Sequence, residues 1–231
     1  NKVCQEAAAA IRQGYSFIIL SDRGVNKKRA GLPALLAVGA VHHYLVKKAL
    51  RTQIGIILET AEPREVHHFA LLFGYGADCV NPYLAYQSLA YLISEGQLNL
   101  DYARALNNYR HALDTGILKI LSKMGISTLQ SYRGAQIFEA LGVGLEVIDK
   151  CFCGTVSRIG GAGFSEICGE SLLRHKQAFG EGSLNAPYLS SGGVYQWKRD
   201  GEYHLWNPDT IVGLQDAARL GDYKKYKEFA N

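Results

Sequence analysis

No apolar run in these 231 residues approaches the roughly 20 that cross a bilayer, so no membrane partner is expected. Neither sign of charge dominates. The 25 Lys and Arg are interspersed with 21 Asp and Glu, for a net of +4. Nucleic-acid binders concentrate positive charge in a patch, which makes that partner unexpected too. The N-terminal stretch "NKVCQEAAAAIRQGY" has a short amphipathic helical pattern and not the layout of a signal peptide. The chain is expected to begin inside a domain. Its five cysteines are odd in number and mostly in apolar surroundings, which favours reduced thiols in a cytoplasmic protein.

Familiar catalytic signatures are missing as well. No G-x-G-x-x-G follows an apolar run, which removes the usual dinucleotide fingerprint. Two adjacent histidine pairs, His42/His43 and His67/His68, invite a metal reading, but neither H-E-x-x-H nor H-x-x-E-H occurs. Neighbouring side chains on a helix point about 100° apart and cannot both reach one ion. Each pair is therefore expected to place one imidazole at a buried edge and the other near solvent. "CFCG" has one residue between Cys151 and Cys153, whereas zinc and redox pairs usually have two. Buried structural thiols are the expectation. "SRIGGAGF", Ser157 to Phe164, is glycine-rich but lacks the lysine and hydroxyl of a phosphate loop, so it reads as a tight turn.

What is present is an alternation. "SFIILS" (Ser16 to Ser21) is a continuous apolar run suited to a strand buried on both faces. A helix starting at Pro33 follows, then "IGIIL" (Ile54 to Leu58), then a helix from Pro63 to Phe73 that Gly74 can end. "DCVNPY" (Asp78 to Tyr83) reads as a third strand and "ISTLQ" (Ile126 to Gln130) as a fourth. Helical patterns through Leu84–Ile93 and Tyr102–Met124 separate those two. Crossovers of this length imply parallel βαβ units, and a partial or modified (β/α) TIM-barrel-like domain is favoured over an open doubly wound sheet.

The tail differs in kind. Residues 1–175 are assigned to the barrel-like domain and 176–231 to a loop, a β-hairpin and short helices. In "VYQWKRDGEYHLW" the Asp200-Gly201 pair fits a two-residue type I′ turn, which would pair Trp197 with His204 and Tyr195 with Trp206. Asn207 or Asp209 then caps a helix. Polar residues closing the strands are the candidate site: Asp22 and Arg23 after the first, Glu59 after the second with Arg64 just beyond, Asn81 after the third, and Gln130 to Arg133 after the fourth. Catalytic groups of (β/α) barrels emerge at that face. Salt-bridged anchoring of loops is the alternative for all of them.

Four long segments carry a resemblance: "FIILSDRGVNKKRAGLPALLAVGAVHHYLV", "ETAEPREVHHFALLFGYGADCVNPYLA", "GILKILSKMGISTLQSYRGAQIFEALG" and "CFCGTVSRIGGAGF". Together with "GGVYQWKRDGEYHLWNPDTIVGLQDA" they closely resemble the glutamate synthase family, in its large subunit. The resemblance places the chain late in the central domain, extending towards the FMN-binding synthase domain. It implies a parent enzyme that hydrolyses glutamine at an N-terminal cysteine of an amidotransferase domain. Ammonia then passes through an internal tunnel to an FMN site, where 2-oxoglutarate is converted to glutamate. It also implies an iron-sulfur cluster, NADPH as the favoured reductant and a possible small reductase subunit as partner. None of the family's catalytic or FMN-binding residues carries over. This chain starts at Asn1, and Cys151, Cys153 and Cys168 do not have the iron-sulfur spacing.

Three roles follow. The first is a non-catalytic connecting region, with Asp22, Arg23, Glu59, Arg64, Asn81 and Arg133 as tunnel or interdomain residues. The second is a half-barrel with its own flavin or substrate site at the strand ends. The third, an interaction module on the Tyr195–Trp206 hairpin, is opposed by the near-balanced charge.

Overall fold

The computed structural model describes residues 2–180 and 197–230. They divide into two units, Asn1–Gly180 and Glu181–Asn231.

The first unit opens with α1 (Lys2–Arg12), β1 (Phe17–Ser21), α2 (Ala34–Lys47), β2 (Gly55–Glu59), α3 (Val66–Gly74) and β3 (Cys79–Asn81). The three strands form one parallel sheet in the order β1-β2-β3, with Ser21 opposite Glu59 and Glu59 opposite Asn81. Each crossover contains a helix, as parallel pairing requires. One face of this sheet is core. Ile56 and Leu58 lie against Val38, Val41 and Leu45 of α2, all at most 1% exposed. The other face is bare: Phe17 and Ile19 are 66% and 63% exposed. The expectation that this run is buried on both faces is therefore corrected. Gly55 permits the arrangement, because the Phe17 ring lies over it where a Cβ would sit, with Phe17 Cδ1 only 2.6 Å away.

The antiparallel helices α4 (Tyr83–Ser94) and α5 (Tyr102–Met124) follow, then the short α6 (Leu129–Tyr132). Asp101 caps α5 by accepting from Arg104 N at 2.9 Å, and Gly125 ends it in the left-handed conformation. The strand expected at Ile126–Gln130 does not form. Thr128 instead accepts from Ser131 N at 3.2 Å, an N-cap that starts α6. The remaining strands are β4 (Glu139–Val143) and β5 (Val156–Ala162), a parallel pair with α7 (Leu145–Cys151) between them and α8 (Phe164–Phe179) after. Here too the sequence reading is corrected, since "SRIGGAGF" is largely strand and not a turn. Gly161 is needed at that site because a Cβ there would overlap the backbone of Gly142 on β4. The whole is an open, parallel-stranded arrangement with surrounding helices, consistent with a partial (β/α) barrel.

In the second unit α9 (Pro208–Leu220) and α10 (Tyr223–Ala230) pack together. Asn207 caps α9, accepting from Asp209 N and Thr210 N at 2.9 and 3.0 Å. The hairpin is corrected over residues 197–206, none of which is strand. Its turn is centred one residue earlier than expected, with Gly201 N donating to Lys198 O at 3.1 Å and Asp200 at φ 61°. Tyr195, the partner assigned to Trp206, falls outside the described residues.

Candidate functional site: the two ends of the sheet

Parallel, in-register strands bring the residues that follow them to one edge. At the C-terminal edge Ser21 Oγ donates to Glu59 Oε2 and Arg23 Nε donates to Glu59 Oε1, both at 2.6 Å. These two donors hold the Glu59 carboxyl below the usual carboxylate range. Asp22 accepts from Thr60 Oγ1 at 2.6 Å, Ala61 N at 3.0 Å and Tyr83 OH at 2.7 Å. Burial, reinforced by the Asp22 carboxylate, pushes the Tyr83 phenol up to about 12. The Arg23 guanidinium lies 4.1 Å from the centre of the Tyr83 ring, so the two carboxylates belong to one network. Beside it Glu62 Oε2 accepts from Ala34 N at 2.9 Å, satisfying the first free N–H of α2.

Of the strand-end candidates, Asp22, Arg23 and Glu59 are brought together here. Asn81 joins through its carbonyl, which accepts from Thr60 N at 3.1 Å. Arg64 stands apart in the exposed loop before α3, where its carbonyl accepts from Tyr109 OH at 2.9 Å. Arg133 is at the opposite edge, a correction that follows from α6 replacing the fourth strand. A cavity of about 380 Å³ opens next to the network, with Ser21, Asp22, Glu59, Thr60 and Arg29 in its wall.

The N-terminal edge holds a second network. Asp78 sits just before β3 and accepts from Ile56 N at 2.8 Å and Arg51 Nη2 at 2.7 Å, and it also pairs with Arg133. Arg51 donates in addition to Ile54 O at 2.6 Å, Gly76 O at 2.8 Å and His42 Nδ1 at 3.0 Å. One guanidinium thus ties α2, β2 and the turn into β3 together. Sequence reasoning missed this pair; the "GAD" turn at Gly76 to Asp78 was its only local signal.

Burial, then the neighbouring His43 and Arg51, lower His42 to about 4, so its ring is neutral and accepts from Arg51. The His42 and His43 rings meet edge to face at 5.0 Å. On α2 neither imidazole is near solvent as expected of one: His42 is buried, and His43 is half-buried with its Nε2 inaccessible. On α3 the expected division is seen, with His67 exposed and His68 half-buried, accepting from Arg64 N at 3.1 Å. Cys151 is buried, but Cys153, also expected to be buried, is exposed in the turn that follows α7. Among the described residues no group of three or more His, Cys, Asp and Glu side chains could hold a metal ion. Among the same residues no helix is long and apolar enough to cross a membrane.

Comparison with known proteins gives a consistent picture. Residues 1–144 match the family profile described as the glutamate synthase central domain. The chain is 47% identical to the large chain of an NADPH glutamate synthase from Bacillus subtilis (strain 168), over 97% of this chain and 15% of that protein. It is 44% identical to an NADH glutamate synthase of Schizosaccharomyces pombe, covering 100% of this chain and 11% of the relative. A ferredoxin-dependent glutamate synthase of Pyropia yezoensis is 43% identical over 99% of the chain and 16% of its own length. The chain thus spans 11% to 16% of the length of these relatives.

Proposed function

From the premise that this chain belongs to the glutamate synthase central-domain family, we propose that it is the connecting, non-catalytic part of a larger glutamate synthase. The parent enzyme would convert L-glutamine and 2-oxoglutarate, with a reductant, to two L-glutamate. In it this region would structure the passage that carries ammonia from the amidotransferase site to the FMN site. FMN, an iron-sulfur cluster and NADPH would belong to other parts of that enzyme. The amidotransferase and FMN-binding domains, and a small reductase subunit, would be its partners in the cytoplasm.

The observation that carries this reading is the bare face of the β1-β2-β3 sheet. Parallel sheets are ordinarily covered on both faces. Phe17 and Ile19 are already about one-third covered, so covering the rest would contribute about 1–2 kcal/mol for each side chain, an inducement for another domain to pack there. The adjoining polar groups suit the same role. Glu59 is engaged with Ser21 and Arg23, and Asp22 with Thr60, Ala61 and Tyr83, an arrangement that anchors loops and leaves little free for chemistry. With Arg64, Asn81 and Arg133 they are the proposed interdomain or passage-lining residues.

The test uses the full-length enzyme with Phe17→Ala and Ile19→Ser, singly and together. Glutamine hydrolysis and flavin reduction, measured separately, should be little changed. Glutamine consumed per 2-oxoglutarate converted should rise as ammonia escapes. Loss of one half-reaction with that ratio intact would overturn the proposal. The 380 Å³ cavity beside Glu59 favours a second reading, a flavin or substrate site at the strand ends. Stoichiometric FMN retained by the 231-residue chain through purification would decide for it.

A further inference from the structure

A small cavity lies between α2, the end of α3 and the segment after α6. Its volume is about 60 Å³, and its wall includes His43, Tyr75, Tyr132, Gln136, Cys153 and Thr155. Two of these side chains have a buried polar atom without a partner among the described residues: His43 Nε2 and the Tyr132 hydroxyl. Tyr132 is only 1% exposed, so bulk water does not satisfy it. Buried side-chain polar atoms are hydrogen-bonded in the large majority of cases, and a lone phenol O–H in a core costs stability. His43 and Tyr132 both line this void and each carries such an atom, which calls for a shared occupant.

The chemistry of the wall says which kind. Among the described residues it contains no Lys, Arg, Asp or Glu. His43 contributes no charge either, because burial and then the nearby Lys47 lower its pKa. A charged ligand would enter without compensation, whereas a neutral one would find donors and acceptors. Tyr75 OH and Thr155 Oγ1 share a hydrogen bond of 2.7 Å, and such a hydroxyl pair keeps lone pairs for a further donor. The volume is ample for water, which needs about 10–15 Å³ measured with a water-sized probe. We infer that this cavity is a binding site for ordered water that satisfies His43 Nε2 and the Tyr132 hydroxyl. The interior where α2, α3 and α6 meet is then joined through solvent and not by packing alone.

Magnetic relaxation dispersion of the water signal detects long-lived internal water, and in the full-length enzyme it is read as the difference between the unaltered protein and a variant. The unaltered protein should show such water, and Tyr132→Phe should lose part of it while the thermal midpoint of this domain falls by about 2–4 °C. An unpartnered hydroxyl would behave oppositely. The dispersion would then be the same in both proteins and Tyr132→Phe would be as stable or more stable, either of which overturns the inference. If Tyr132→Phe does not fold, Thr155→Val supplies the same comparison, with loss of long-lived water expected and no loss refuting it.

Discussion

Replacing Asp78 with alanine tests the network at the N-terminal edge of the sheet. The substitution takes the carboxylate from Arg51 and Arg133, leaving Arg51 only its neutral acceptors, and removes the acceptor for Ile56 N. Removing one member of a buried ion pair costs about 3–5 kcal/mol. The Asp78 side chain is 28% exposed, so solvent screens part of the attraction. The lower end of that range, about 3 kcal/mol, is therefore expected. In a chain of this size each kcal/mol moves the thermal midpoint by about 2–4 °C, giving a fall of about 6–12 °C. Asp78→Asn keeps an acceptor for Ile56 N and should recover about 1 kcal/mol of the loss. The assay is thermal unfolding followed by circular dichroism. Acid adds a second arm. Burial acts to raise the Asp78 carboxyl, but Ile56 N–H, Arg51 and Arg133 together outweigh it and hold it below its ordinary value. A depressed folded value means that the contribution is complete above about pH 4, the ordinary Asp value, and is lost as pH falls through the folded one. Wild type and Asp78→Asn should therefore converge below about pH 4. An Asp78→Ala midpoint within about 2 °C of wild type at neutral pH would refute the reasoning, because even 1 kcal/mol should move it that far. So would a wild-type to Asp78→Asn gap that does not narrow in acid.

Two further predictions concern α2. His42 has a folded pKa of about 4, below its ordinary value near 6.5, so below that value the unfolded chain binds a proton that the folded chain does not. Stability should decline as pH falls from about 6.5 towards 4, and His42→Gln should flatten part of that slope in urea titrations. A Cβ on Gly39 would overlap the Cys151 carbonyl oxygen, because α2 and α7 touch there backbone to backbone. Gly39→Ala should destabilise by about 1–3 kcal/mol despite its better helix propensity, read from the denaturant midpoint.

The first three strands were legible because each is an apolar run bounded by polar residues. β4 and β5 were not, for a physical reason. Gly142, Gly160 and Gly161 remove the apolar side chains that mark a strand, yet close backbone approach requires glycine at Gly161. "ISTLQ" misled because its β-branched Ile126 and Thr128 suit a strand, whereas the Thr128 hydroxyl caps a helical turn. At the C-terminal edge, Asp22, Arg23 and Glu59 could be read as neighbours once parallel strands were assumed. Their partners Thr60 and Tyr83 could not, since a hydroxyl carries no local sign of the carboxylate it will meet. Arg51 and Asp78 were hidden in the same way, 27 residues apart, one in a connection and the other at the start of the third expected strand.

The exposed flank of β1 also has a consequence for the chain before any partner reaches it. β1 is an edge strand of its sheet, so one side of its backbone pairs with no described strand, and it carries Phe17 and Ile19 outward. An apolar edge of this kind templates pairing with other chains. Arg23 and Glu59 stand at one end of that strand as an ion pair, the kind of charge that interrupts such pairing only locally. The region is thus prone to self-association while uncovered, a tendency that rises with concentration.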